Sequence, residues 1–212
     1  MNPLPPLTSY PSPISRLGEP VWEIAHLFPT QGNWSEPEYL ALDTNRLIEF
    51  SDGCLEVLPM PTPFHQLIVD FLVTLLKEFV AARAVGRVFY APMPIRLWSG
   101  KYREPDVVFL KPGRIRDPHS QPQGADLVME VLSEGEENRK RDLETKPAEY
   151  ARAGVAEYWI VDPQERRITV LALEGTAYRT HGVFGLGEAA TSVLLPGFSV
   201  SVDAAFAAGE RI

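Results

Sequence analysis

The sequence predicts a mixed α/β (α+β) fold: a mixed β-sheet flanked by helices, with a β-hairpin near its N-terminal side. Three features predict it: an Asp-Gly hairpin signal, one long amphipathic helical stripe, and a later succession of short apolar strands interrupted by a second helix. Residues 1–33 precede this domain as an extension, because prolines at 3, 5, 6, 11, 13 and 20 forbid regular structure over most of it. Its apolar group Val21, Trp22, Ile24, Leu27 and Phe28 could still dock on the domain proper, which is expected to span 34–212.

The elements follow in order. Ser35 caps a short helix that carries Pro37 in its first turn, where a missing N–H costs little. Arg46 to Leu58 is β-rich on both sides of Asp52-Gly53, a pair suited to a tight turn with positive φ. Thr62-Pro63 opens a helix through about Ala84, with Phe64, Leu67, Ile68, Phe71, Leu72, Leu75, Leu76 and Phe79 at helical spacing. Short strands are expected at Val88–Tyr90 and Ile95–Trp98, and one longer strand from Tyr102 to Leu110 after a Ser99-Gly100 turn. A loop from Lys111 to Gly124 leads to a strand at Asp126–Leu132. The polar stretch Ser133–Arg141 then opens a helix that ends near Ala153-Gly154, where the glycine can cap it. Pro147 argues for a late start to that helix, with Thr145 as N-cap. Glu157–Val161 and Arg167–Leu173 read as strands around an Asp162-Pro163 turn, followed by a strand near Ser192–Leu195 and a small helix after Asp203.

Composition bounds the function. With 45% hydrophobic and 23% charged residues, 212 residues suit one well-packed domain plus modest extensions. The single cysteine, Cys54, excludes an intramolecular disulfide framework and a thiolate metal cluster. Together with the lack of a membrane-length apolar run or a secretory leader, it makes a cytoplasmic protein the expectation. The net charge of −8 opposes a general basic grip on nucleic acid and calls for local positive charge or bound metal ions.

Two carboxylates stand out. Asp106 closes Glu104-Pro105-Asp106 at the front of the apolar run Val107–Leu110, and Glu130 interrupts Leu127–Leu132. An ionised carboxylate inside an apolar strand is costly unless paired, hydrogen-bonded or metal-bound. On neighbouring strands the two would form an oxygen site for a hard divalent cation such as Mg²⁺, able to activate water beside a phosphoryl group. Taken singly, a carboxylate placed like Asp106 is usually solvated or caps a loop, Glu130 could equally form a structural ion pair with Arg or Lys, and a lone Lys146 is most often a surface residue. Serine-hydrolase, phosphate-loop and zinc signatures are absent from the sequence. A glycosidase built on the carboxylate pair leaves Lys146 without a role.

The ordered string is more specific than its parts. Glu49-x-x-Asp52-Gly53, Pro61-x-Pro63-x-His65, Pro105-Asp106, Glu130-Val-Leu-Ser133 and Asp142-Leu-x-x-x-Lys146-x-x-x-Tyr150 lead into Gly154-Val-x-Glu157-Tyr-Trp-Ile-Val-Asp162. From about Trp34 to about Gly197 this resembles the Uma family of the PD-(D/E)XK, restriction-endonuclease-like superfamily. The resemblance implies a Mg²⁺- or Mn²⁺-dependent endonuclease acting on DNA. Asp106 and Glu130 would bind the metal, helped by the backbone carbonyl of Val131, and Lys146 would polarise the attacking water or stabilise the pentavalent phosphate. The superfamily's simplest pattern puts that lysine two residues after the glutamate, where this chain has Leu132; the family pattern moves it to the following helix.

Several positions keep two readings. His65 is by spacing an ordinary helix-start residue, and by resemblance an active-site group that orients water or touches phosphate. Glu49 is either a second metal ligand or a partner across the hairpin. Asp142, Lys146 and Tyr150 share a helix face by their i, i+4, i+8 spacing. Arg139, Lys140 and Arg141 form either a solvated helix start or a grip on a phosphate, although acids outnumber bases seven to four from Asp126 to Lys146. With a late helix start, Lys146 would sit at a helix mouth that also favours phosphate. Tyr102, Tyr150, Tyr158 and Trp159 could stack on bases, but strand aromatics are usually core. Cutting both strands of a duplex favours a homodimer. The alternative function is a catalytically inactive nuclease-fold module that binds nucleic acid or a protein partner.

Overall fold

Apolar residues at helical spacing make Pro63–Arg83 the organising helix (α2) of the structure, a computed structural model that describes residues 28–44 and 46–211. Thr62 caps it by accepting the His65 N–H at 3.2 Å, and Ile68, Leu72 and Leu76 are fully buried along its inner face. The preceding elements match their sequence signals. Ser35 and Glu38 form a reciprocal capping box on α1 (Glu36–Leu40), and β1 (Ile48–Ser51) pairs antiparallel with β2 (Cys54–Val57) across Asp52-Gly53.

The strands divide between two larger sheets. The first has the order β2-β1-β5-β4, with β4 at Ile95–Trp98 and β5 at Lys101–Arg103. The second has the order β10-β9-β8-β7-β6-β3, from β3 (Arg87–Tyr90), β6 (Val107–Leu110), β7 (Leu127–Val131), β8 (Glu157–Asp162), β9 (Arg167–Glu174) and β10 (Ala177–Phe184). It is mixed, since β7 and β8 run parallel while the other pairs are antiparallel. Val107, Met129 and Trp159 on one face pack against α2 and the C-terminal helix α5 (Val202–Gly209). Val108, Val128 and Ile160 on the other face pack with Tyr150 from the helix after β7.

The expected single strand from Tyr102 to Leu110 is two strands in different sheets. Pro105 supplies no N–H to a ladder, so the chain leaves the first sheet after Arg103 and enters the second at Val107. Glu104-Pro105-Asp106 is thus a corner between sheets. A second correction concerns the helix expected to restart at Thr145. It begins at Glu136 as α3 (Glu136–Lys140), passes through a π-helical turn at Arg141–Thr145, and continues as α4 (Lys146–Arg152). Thr145 is helical and makes no capping bond. The Lys146 N–H reaches back five residues to the Arg141 carbonyl, so the wide turn takes up an extra residue just before a proline that cannot serve the α ladder. The helix ends at Gly154, φ +75°, where Val155 N–H bonds Tyr150 O and Gly154 N–H bonds Ala151 O, both at 3.0 Å.

A third correction falls on Ser192–Leu195, a turn rather than a strand. The buried Glu157 carboxylate accepts the N–H groups of Val193 and Leu194 at 2.6 and 2.7 Å, and the Ser192 hydroxyl at 2.7 Å. Strands lie on either side as β11 (Ala189–Thr191) and β12 (Ser199–Ser201). Of the extension, Phe28 stacks on Trp34 with ring centroids 5.8 Å apart, and Gln31 bonds both backbone groups of Leu55 at 2.8 and 2.9 Å. The expectations for residues 1–27, including Val21, Trp22, Ile24 and Leu27, lie outside the described residues.

The hairpin turn offers a direct check on this packing. Gly53 has φ +82°, and a Cβ there would lie 2.6 Å from the Gly32 carbonyl oxygen. Gly53→Ala is expected to cost at least about 1 kcal/mol, or ~3 °C in a thermal melt. An unchanged melting temperature would contradict the docking of residues 30–34 on the hairpin.

Candidate active site

Asp106, Glu130, Lys146 and His65 meet at one end of the second sheet. Val107 pairs with Met129, so Asp106 and Glu130 face each other one residue further on, on the sheet face that carries Val128 and Leu132. Asp106 Oδ2 accepts the Val131 N–H at 2.8 Å, which fixes one of its oxygens. Glu130 is 4% exposed and accepts two hydrogen bonds at Oε1, from the Tyr150 hydroxyl at 2.7 Å and from Lys146 Nζ at 2.9 Å. Lys146 also lies 3.0 Å from Asp142 Oδ1 and 3.8 Å from Glu49 Oε1. Asp142, Lys146 and Tyr150 therefore share the buried face of one continuous helix, while Lys146 follows the π turn instead of opening a helix.

Glu49 does not pair directly across the hairpin. Its neighbour there is Glu56, and Arg103 from β5 bridges both, with Nη1 at 2.5 Å from each carboxylate. The same guanidinium holds Glu149 of α4 at 2.7 and 3.0 Å, and Lys101 reaches Glu149 at 2.6 Å. Arg103 was not singled out from the sequence. Its only signal was a cation beside Glu104-Pro105-Asp106, because all three residues of β5 are buried and the strand shows no alternation. The network positions Glu49, whose other oxygen accepts the Glu104 N–H at 3.1 Å.

His65 approaches from the start of α2. Its Nε2 lies 3.0 Å from the Val131 carbonyl and 3.3 Å from Asp106 Oδ2. Both are acceptors, so Nε2 carries the proton, while the buried Nδ1 has no partner. Glu104 Oε2 is also buried without a partner. The basic run divides. Arg139 forms two bonds with Asp162 at 3.0 and 2.7 Å, Arg141 lies 3.4 Å from Asp142, and Lys140 is exposed. The four aromatic candidates, Tyr102, Tyr150, Tyr158 and Trp159, are buried in the core.

Asp106, Glu130, Lys146, Asp142 and His65 line a cleft of about 40 Å³, room for a few waters. Its walls carry Glu104, Asp106, Glu130 and Asp142 against Arg141, Lys146 and His65, which makes it acidic on balance. Among the described residues, no three Asp, Glu, His or Cys side chains form a ready-made metal cage. Burial raises the Glu130 pKa to about 8; Lys146 opposes the rise, and Asp106, Asp142 and Glu49 add to it. Glu104 is pushed up to about 7 by burial and by Glu49. Burial disfavours the His65 imidazolium, yet the Asp106 carboxylate, the Val131 carbonyl and Glu130 together outweigh it and raise that pKa. Burial likewise opposes the Lys146 ammonium, but Glu130, Glu49 and Asp142 hold it firmly protonated.

Comparisons with known proteins bear on the family and the fold. A family model described as "Uma2: Putative restriction endonuclease" matches residues 36–203. The chain belongs to the Uma2 family. Among solved structures it is similar to a protein from Anabaena variabilis described as "a putative nuclease belonging to DUF820", with a TM-score of 0.68 and 19% identity. The match covers 83% of this chain and 99% of that one and establishes a shared fold. No curated protein matches the chain. Among the described residues, no helix of this Uma2-family chain is long and apolar enough to cross a membrane.

The site's proton balance gives a test that needs no substrate. Glu104, Glu130 and His65 all bind protons more tightly folded than unfolded, so the folded state holds the extra protons and loses stability as pH rises. For the carboxyls the window runs from their ordinary 4.5 up to about 7 and about 8, and for His65 it lies above 6.5. With EDTA present, the melting temperature is expected to fall by several degrees between about pH 5 and about pH 8, and Glu130→Gln should flatten the slope. A wild-type curve that rises over this window would contradict the assignment.

Proposed function

We propose that this chain hydrolyses phosphodiester bonds in DNA with Mg²⁺ or Mn²⁺ held by Asp106 and Glu130, assisted by Lys146. The observation that carries the reading is the facing of two carboxylates across adjacent strands with a buried lysine 2.9 Å from one of them. The donor set fits a hard cation. It offers carboxylate oxygens, has the Val131 carbonyl close by and lacks sulfur. Mg²⁺ is content with one or two carboxylates and completes its shell with water, so a ready-made cage of side chains is not required. Bound there, the ion would supply Lewis-acid charge and a more acidic water.

The chain's own residues divide the remaining work. Tyr150 and Lys146 hold Glu130 by Oε1, leaving Oε2 outside those bonds. The Val131 N–H orients Asp106 through Oδ2. Lys146, kept protonated by its carboxylate neighbours, acts as a fixed positive charge facing the phosphate in its transition state rather than as a base. His65 ties the Val131 carbonyl to Asp106 and sets the spacing of those oxygens. Glu49 and Asp142 are the counter-charges that keep Lys146 in place. With one such cleft among the described residues, cutting both strands of a duplex would favour a two-fold pair of chains.

The test is to titrate Mg²⁺ and Mn²⁺ into wild type, Glu130→Ala and Lys146→Met, and to follow DNA cleavage in the same samples. Glu130→Ala is expected to lose both metal binding and cleavage. Lys146→Met should keep metal binding while its cleavage rate falls by roughly 10²-fold or more. Saturable metal binding with no cleavage of any DNA by wild type would favour an inactive nuclease-fold module, and no metal binding at millimolar concentrations would overturn the proposal.

A further inference from the structure

Beside the cleft lies a much larger groove, about 610 Å³, that shares Pro59, Pro61, His65 and Ser133 with it. The cleft, at about 40 Å³, has room for the reacting group and waters but not for the rest of a nucleotide. The groove is within the ordinary range for a bound organic ligand, and its shared wall makes it the natural continuation of anything seated at Asp106 and Glu130.

Its lining is unsuited to a sugar-phosphate backbone. Met60, Phe64, Leu132 and Pro163 supply apolar surface, and Met60 is 64% exposed. Among the described lining residues the one permanent cation is Arg139, and both its arms are held by Asp162. Glu134 adds a negative charge to the same wall. A strand of phosphates gripped without sequence preference needs several cations to neutralise it, and here none stands free. A flat heterocycle suits the surface better, having an apolar face to pack on Met60, Phe64 and proline and polar edges for Ser133 and Gln164.

We propose that this groove seats an unpaired base of the strand whose phosphate lies in the cleft, so that the chain acts on single-stranded or locally unpaired DNA; this rests on the nuclease reading above. A base stacked in a duplex has both faces covered by its neighbours and cannot enter such a groove without first leaving the stack. One chain is then sufficient for one cut, with no need for two-fold pairing.

Binding tests the inference apart from cleavage. A fluorescein-labelled single-stranded oligonucleotide, its duplex, and a single strand carrying abasic residues would be titrated with the full chain in Ca²⁺, with anisotropy as the readout. The intact single strand is expected to bind about tenfold or more tighter than the duplex, and the abasic strand should lose most of that advantage. Met60→Glu, at an exposed position that leaves the core intact, should weaken single-strand binding by about fivefold or more and duplex binding far less. Equal binding of abasic and intact strands, preference for the duplex, or no binding of any of them would overturn the base-seating groove. Cleavage in the metal titration together with any of these results would leave the nuclease proposal standing and remove only this inference. A single-strand preference without cleavage would do the reverse.

Discussion

A lysine 2% exposed to solvent keeps its charge in a protein interior only where acidic groups replace the water it has lost, and Lys146 finds three of them. They come from separate parts of the chain: Glu49 from the hairpin strand β1, Glu130 from the central strand β7, and Asp142 from the π turn. The lysine is therefore where two sheets and a helix are brought to a common position. Each partner is itself buried, so the pairing is mutual: without Lys146, Glu130 would lose the cation beside it, while Glu49 would keep Arg103 and Asp142 would keep Arg141. Arg103 repeats the arrangement one layer further out by bridging Glu49, Glu56 and Glu149.

The helix reaches this position by a local irregularity. A regular α-helix from Glu136 to Arg152 would carry Pro147 in its interior at a cost of roughly 3 kcal/mol. The π turn at Arg141–Thr145 absorbs the proline instead and leaves Asp142 and Lys146 facing the same sheet end. Such turns frequently mark functional sites, since they place a side chain where a regular helix would not. Downstream, Tyr150 returns to Glu130 through its hydroxyl, so a single helix fixes the carboxylate through both Lys146 and Tyr150.

Much of this was legible in the sequence, for identifiable reasons. Strong local signals, such as Asp52-Gly53, the Thr62-Pro63 helix start and the Phe64–Phe79 stripe, depend on a few neighbouring residues and survive into the fold. Asp106 and Glu130 were visible because charge in apolar strands has few structural uses, whereas Lys146 and the ordered string through Tyr150 stood out by the family resemblance. What was missed depends on partners distant in sequence. The strand break at Pro105 follows from a change of sheet, the turn at Ser192–Leu195 from capping by Glu157 some 35 to 37 positions away, and the role of Arg103 from three carboxylates on other elements. The π turn was half visible. Pro147 announced a disturbance, but propensity alone favours a new helix start over a widened turn.

The acidity of the chain first looks like an argument against any action on DNA, and the site changes its meaning. The acidic groups concentrated at Glu104, Asp106, Glu130 and Asp142 are what a divalent cation would bind, in place of the protons that Glu104 and Glu130 hold without it. In the proposed reading the positive charge facing a phosphate comes from Lys146 and the metal, so the rest of the surface has no need to be basic. Affinity for the strand would then come from base contacts in the adjoining groove, whose strength owes little to counterion release. A chain with net charge −8 can work on nucleic acid in this way, provided the substrate exposes a base next to the bond it breaks.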